Sequence, residues 1–223
     1  MNKILPLLSG VLLLIAFSSC RENNASPVRN VRFDPDLLNK MQVAGSSCTN
    51  YSYFHGGQSK NLGAVYTKQV LVAFEHNVSA TDQQLIIEKY GFVKSMGALV
   101  GSKSAVLQSL VLQDGLSCKQ VEQALVTLAA DAQITYAVPY FLAGKRLLGI
   151  SNDAIVTLEQ NGLDELKKLA KDYKAEVLPT LGNNIYLVKV NKQSKGNALE
   201  LANFLQKKPG VVQAEPDFIV SAE

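Results

Sequence analysis

The chain has 223 residues, 22 basic against 19 acidic for a formal net charge of +3, and 47% of its residues are hydrophobic. A near-neutral balance without a basic block argues against nucleic acid as a partner. The length suits one ordinary domain or two small ones, and the apolar share leaves ample material for a core.

Met1 to Lys3 carries one positive charge, and Ile4 to Phe17 is an apolar run broken only by Pro6, Ser9 and Gly10. A charged start, a short apolar stretch and small residues at the cut mark a secretory signal. The run falls short of the roughly 20 apolar residues that span a bilayer, and polar Arg21-Glu22-Asn23-Asn24 follows closely. Phe17-Ser18-Ser19-Cys20 resembles the lipobox of bacterial lipoproteins, in which the cysteine takes a diacylglyceryl group and becomes the new N-terminus. Phe17 departs from the usual aliphatic residue, and Ser19 from glycine or alanine. The resemblance implies a signal peptide over residues 1–19 and lipid on Cys20. It also implies a place in the cell envelope, expected at an outer membrane facing periplasm or surface. An ordinary signal peptide that contains a cysteine is the alternative. Loss of residues 1–19 removes Lys3 and lowers the charge from +3 to +2.

Residues 20–66 show no sustained period and carry Asn, Ser, Pro and Gly throughout, including His55-Gly56-Gly57, so they read as a tether. Phe33 to Met41 suggests a short helix with Asp34 or Asp36 near its start. Cys48 and Cys118 either pair, as exported cysteines can, or remain idle thiols; nothing in the sequence brings them together.

From Lys68 the texture becomes regular and repeats. In the first copy, over 67–145, Val70 to Phe74 reads as a strand, and Ser79 caps a helix from Thr81 to Tyr90. Phe92 to Leu99 and Ser104 to Leu112 are strands, Val121 to Leu128 a helix and Gln133 to Leu142 a strand. The two copies meet near Gly144 to Ser151. In the second, over 150–223, Ala154 to Leu158 is a strand, and Leu163 to Tyr173 puts Leu163, Leu166, Leu169, Ala170 and Tyr173 at helical spacing. Glu176 to Leu181 and Ile185 to Val190 are strands around Gly182-Asn183-Asn184. Ala198 to Leu205 is a helix closed by Pro209-Gly210, and Val211 to Val220 is the last strand. Tyr136-Ala137-Val138-Pro139-Tyr140-Phe141 aligns with Gln213-Ala214-Glu215-Pro216-Asp217-Phe218. The expectation is an α+β protein of two tandem β-α-β-β-α-β domains, each a four-stranded antiparallel sheet with two helices on one face.

Enzyme signatures are missing. The sequence has no nucleophile elbow, no phosphate-cradling glycine loop, no His-Glu-x-x-His and no Cys-x-x-Cys. His55 and His76 read as surface histidines, Cys118 as a structural cysteine near a helix start, and Asp164-Glu165 as a solvated first helical turn. No catalytic, metal or cofactor role is expected.

Leu201 to Asp217 resembles the propeptides of subtilisin-like serine proteases and their free-standing inhibitor relatives. Ala202-Asn203-Phe204-Leu205, Pro209-Gly210-Val211 and Ala214-Glu215-Pro216-Asp217 carry the likeness. It covers Ala154 onward well and residues 68–144 weakly. The β-α-β-β-α-β order is shared by many ferredoxin-like domains; the Pro-Gly-Val to Glu-Pro-Asp segment narrows the field. The resemblance implies that Glu215 and Asp217, two apart on a strand and so on one face, cap the N-termini of two protease helices. Each such contact contributes on the order of 0.5–2 kcal/mol. It also implies that Ile219, Val220, Ser221, Ala222 and Glu223 lie in the substrate cleft as an added strand, with Glu223 in the first specificity pocket and Val220 in the fourth. Val138 and Tyr140 replace the carboxylates in the first copy, which is not expected to inhibit. The resulting expectation is a membrane-anchored inhibitor or folding chaperone of a subtilisin-like protease. A non-inhibitory surface binding module is the alternative, and a ligand-sensing pair of domains is a third reading.

Overall fold

The computed structural model of the chain describes residues 47–222. The signal peptide, Cys20, the helix expected over residues 33–41 and Glu223 lie outside the described residues. The elements are β1 (Tyr51–His55), β2 (Gln58–Gly63), β3 (Val65–Phe74), α1 (Ala80–Ile87), β4 (Val93–Gly101), β5 (Val106–Leu112) and α2 (Cys118–Ala130). Then come β6 (Ile134–Ala143), β7 (Arg146–Leu158), α3 (Leu163–Tyr173), β8 (Glu176–Val177), β9 (Ile185–Lys189), α4 (Ala198–Leu205) and β10 (Val211–Ala222).

Local chemistry explains the helix boundaries. Ser79 caps α1 by accepting from the Asp82 N–H. Ser117 with Gln120, and Asn197 with Glu200, form reciprocal capping boxes at the starts of α2 and α4. The chain leaves α3 through Lys174 in the left-handed region, φ 58°.

The protein is mixed α and β, with eight strands in one sheet ordered β4-β5-β3-β6-β7-β9-β8 and β10 pairing β7. Every strand pair is antiparallel. Each half places its first strand between its third and fourth: β5-β3-β6 in one, β9-β7-β10 in the other. The expected pair of separate four-stranded sheets is therefore corrected to one continuous sheet. The join is a hairpin. β6 and β7 pair from Tyr140↔Gly149 to Ala143↔Arg146, with Gly144 at φ 64° in the two-residue turn. Gly144 to Ser151, expected as the junction between domains, thus holds the hairpin turn and the first part of a 13-residue strand.

β7 serves both halves. Its start pairs β6, its end pairs β9, and β10 runs along its other edge. Gly149 is required at the crossing: a Cβ there would stand 2.6 Å from Leu71 Cδ1 and 2.8 Å from Tyr140 Cε1. One apolar cluster runs through both halves, from Val70, Leu71 and Leu110 through Phe141 and Ile150 to Leu166, Leu201 and Leu205. Burial of this apolar surface is the main favourable term.

The tether reading is corrected as well. Residues 51–63 form a separate two-stranded antiparallel sheet, β1–β2. Gly56 and Gly57 form its two-residue turn at φ 57° and 75°, the left-handed pair that a tight hairpin turn needs.

Candidate functional site

The closing strand β10 carries most of the residues singled out above. α4 ends at Leu205, and Gly210, at φ 77°, turns the chain into β10. From there β10 stays on β7 to its last residue: Ile219 pairs Gly149, Val220 pairs Leu148, Ser221 pairs Leu147 and Ala222 pairs Arg146. Ile219 is buried, whereas Val220 is exposed. The last strand, expected over Val211 to Val220, runs on to Ala222 and takes in residues that the resemblance places in a substrate cleft. The hairpin that extends β7 toward its N-terminus creates the partner for that strand end.

Glu215 is held by its neighbours. With its proton on Nδ1, the His55 ring donates to Glu215 Oε2 at 2.8 Å, and Gln213 Nε2 donates to the same oxygen at 3.1 Å. The Glu215 side chain keeps 29% of its accessible surface and that of His55 54%. The contact joins residues 160 positions apart. Burial, with the Glu215 charge second, pushes the nearby Tyr53 hydroxyl up.

Asp217 lies elsewhere. Pro216 pairs Ala154 and Phe218 pairs Ile150, so Ser151, Asn152 and Asp153 of β7 stand opposite the single residue Asp217. This bulge is buried and polar: Ser151 and Asp153 are 0% exposed, Asn152 5% and Asp217 9%. Tyr136 Oη donates to the Ser151 carbonyl at 2.7 Å, and the Val190 N–H donates to the Asn152 carbonyl at 2.8 Å. Ser104, in the β4–β5 loop of the first half, donates to Asp153 Oδ1 at 2.7 Å. Asp153 Oδ2 and Asn152 Oδ1 have no protein partner. Burial, reinforced by the Asp217 charge, pushes the Asp153 carboxyl up; the Ser104 bond and Lys189 pull the other way. Of the two carboxylates that the resemblance implied would cap partner helices, Glu215 is half-buried on a histidine and Asp217 is buried in a polar junction.

The β1–β2 hairpin touches both halves. Cys48 and Cys118 are joined in a disulfide, their Cα atoms 5.8 Å apart. Glu122 of α2 accepts from the Thr49 N–H at 3.1 Å, and Lys119 Nζ lies 2.6 Å from its other oxygen. Burial pushes the Glu122 carboxyl up, but the bonds from Lys119 and Thr49 outweigh it and leave it below the usual range. Tyr51 packs on Phe141 at 5.2 Å between ring centroids, and Tyr53 on Phe218 at 4.9 Å. Asn203 of α4 donates to the Ser52 carbonyl at 2.8 Å.

His76 is exposed in the turn after β3. Among the described residues, no group of three or more His, Cys, Asp or Glu is placed to hold a metal ion. No helix among them is long and apolar enough to cross a membrane. An open cleft of about 190 Å³ lies between α2, β6 and the loop before α4, lined by Thr135, Tyr136, Asn191, Lys192 and Asn197. Lys192 Nζ donates to the Asp131 carbonyl at its rim. Sequence reasoning missed His55 and Asp153 as neighbours of the closing strand, because no local pattern links residues so far apart.

No protein-family model matches the chain, and no curated protein matches it in sequence.

Proposed function

We propose that this protein is a lipid-anchored cell-envelope component, held through Cys20, whose two halves are diverged ferredoxin-like domains of the subtilase-propeptide kind. In this reading the halves are fused through β7 into one non-catalytic protein-binding module, and the module does not act as a product-like protease inhibitor. The observation that carries it is the full pairing of β10 with β7 through Ala222. A tail hydrogen-bonded along one edge to its own sheet must leave that sheet before it can extend into a substrate cleft. Burial of Asp217 points the same way, since a carboxylate that caps a partner's helix must reach that helix.

The test is residual activity of a broad-specificity subtilisin titrated with residues 21–223, alongside the same protein ending at Phe218. The module reading expects neither protein to inhibit at micromolar concentration. Inhibition that disappears on removing residues 219–223 would sink it.

A second reading, the membrane-anchored inhibitor or folding chaperone of a subtilisin-like serine protease, keeps one specific support. The Gly210 turn leads α4 into a strand carrying Glu215 and Asp217, the arrangement that the resemblance rests on. It requires residues 219–222 to peel from β7 when the protease binds. Lipid attachment is tested separately: labelling with a fatty-acid analogue should be lost in Cys20→Ala, and retained labelling would contradict the anchor.

A further inference from the structure

We infer that the Cys48–Cys118 disulfide is a thiol–disulfide exchange site and that the β1–β2 hairpin is a strap which it fastens across the two halves. Opening the bond would release the strap from β10 and leave the eight-stranded sheet folded.

Three observations carry this. The first is how the strap is held. It forms its own two-stranded sheet and shares no ladder with the eight-stranded one. A two-stranded hairpin alone is marginal in water. Its C-terminal end continues directly into β3, while its N-terminal end is fastened by Cys48 to α2. Between these ends the non-covalent hold includes the Glu122 contacts, the Asn203 bond, the His55–Glu215 pair, two ring contacts and the packing of half-buried Tyr51, Tyr53 and Leu62 on the core. The polar contacts among these contribute little individually.

The second is the asymmetry of the two sulfurs. Cys48 belongs to an exposed stretch, whereas Cys118 is buried as the first residue of α2. An incoming thiolate therefore meets Cys48. The leaving sulfur is Cys118, at a helix N-terminus where free N–H groups and the dipole favour a thiolate. With a dithiol reductant the chemistry balances. Its first thiolate attacks Cys48 Sγ, the disulfide breaks, and Cys118 departs as a thiolate that takes up a proton. The reductant's second thiol then attacks the mixed disulfide, releasing Cys48 as a thiol and leaving the reductant as a disulfide. Two electrons pass to the protein.

The third is what the strap covers. His55 holds Glu215, Tyr53 lies on Phe218 and Ser52 engages Asn203. These partners all belong to β10 and α4, and the disulfide fastens the strap to α2 of the other half. The redox state of the bond between the strap and the first half thus governs access to the closing strand of the second.

The test is hydrogen–deuterium exchange on the full chain, oxidised and after dithiothreitol. Cys48→Ser, which opens the same closure without a reductant, serves as a second arm. The strap account expects residues 51–63 to exchange at least tenfold faster in both opened forms, with protection of β3, β7 and β10 kept within about twofold. Unchanged exchange in the hairpin would overturn it, because the non-covalent contacts would then suffice. Loss of protection throughout the sheet would also overturn it, because the disulfide would then be a staple of the whole fold.

Discussion

The two halves run the same order of elements yet end differently, and the difference lies in their closing strands. β6 carries Val138 and Tyr140 at the positions where β10 carries Glu215 and Asp217. β6 is an interior strand with β3 on one side and β7 on the other, and both residues are buried, at 0% and 1%. β10 is an edge strand, and Glu215 keeps contact with water. A carboxylate is tolerated where solvent or a histidine reaches it and is costly where neither does. At the Val138/Glu215 position the difference between the halves therefore follows from where each closing strand sits in the shared sheet.

That comparison can be broken most directly by exchanging the residues. Val138→Glu puts an unpaired carboxylate into the interior strand and should cost on the order of 4 kcal/mol, read by urea denaturation. The reciprocal Glu215→Val should stay within about 1 kcal/mol. Similar costs for both would contradict the interior–edge distinction.

Next comes the crossing that joins the halves. Gly149→Ala forces a methyl group against Leu71 and Tyr140 and should cost roughly 1–3 kcal/mol. Its effect should reach both halves together, seen as one cooperative transition shifted to lower denaturant.

Asp153 sharpens the comparison at the polar junction, where Ser104, Lys189 and Asp217 surround it. Its carboxyl is raised in the fold by burial, so the folded state holds the proton more tightly than the unfolded chain. That group therefore costs stability as pH rises above its ordinary value of 3.8. Asp153→Asn removes the cost. The variant should melt about 2–4 °C higher at pH 7, and the gain should vanish near pH 3. A gain independent of pH would reject this cause.

The smallest effect is expected at the strap's own contact with Glu215. His55→Ala removes a partly exposed contact and should change stability by less than about 1 kcal/mol.

The helices were largely legible in the sequence. α3 and α4 have the boundaries that their apolar spacing and terminators suggest, and Ser79 caps α1. Other elements were hidden for physical reasons. The stretch from Gly144 to Ser151 read as a junction between copies, although Gly144 makes a hairpin turn and Gly149 allows a close approach inside β7. β8 stops at Val177 before Pro179, which has no N–H for a ladder. Gly56-Gly57 read as tether, whereas a pair of positive-φ residues between Tyr53-Phe54-His55 and Gln58 closes β1–β2. Of the candidate site, the sequence showed Glu215 and Asp217 as an alternating pair. It could not show that a bulge in the partner strand buries one of them, or that His55 arrives to hold the other.

The central claim is that β7 is shared and that β10 is paired to its end. Cross-strand nuclear Overhauser contacts in the full chain test it most directly. The account predicts contacts between Gly149 and Ile219 and between Leu147 and Ser221, with extended-strand chemical shifts through Ala222. Random-coil shifts over residues 219–222 with no such contacts would contradict it.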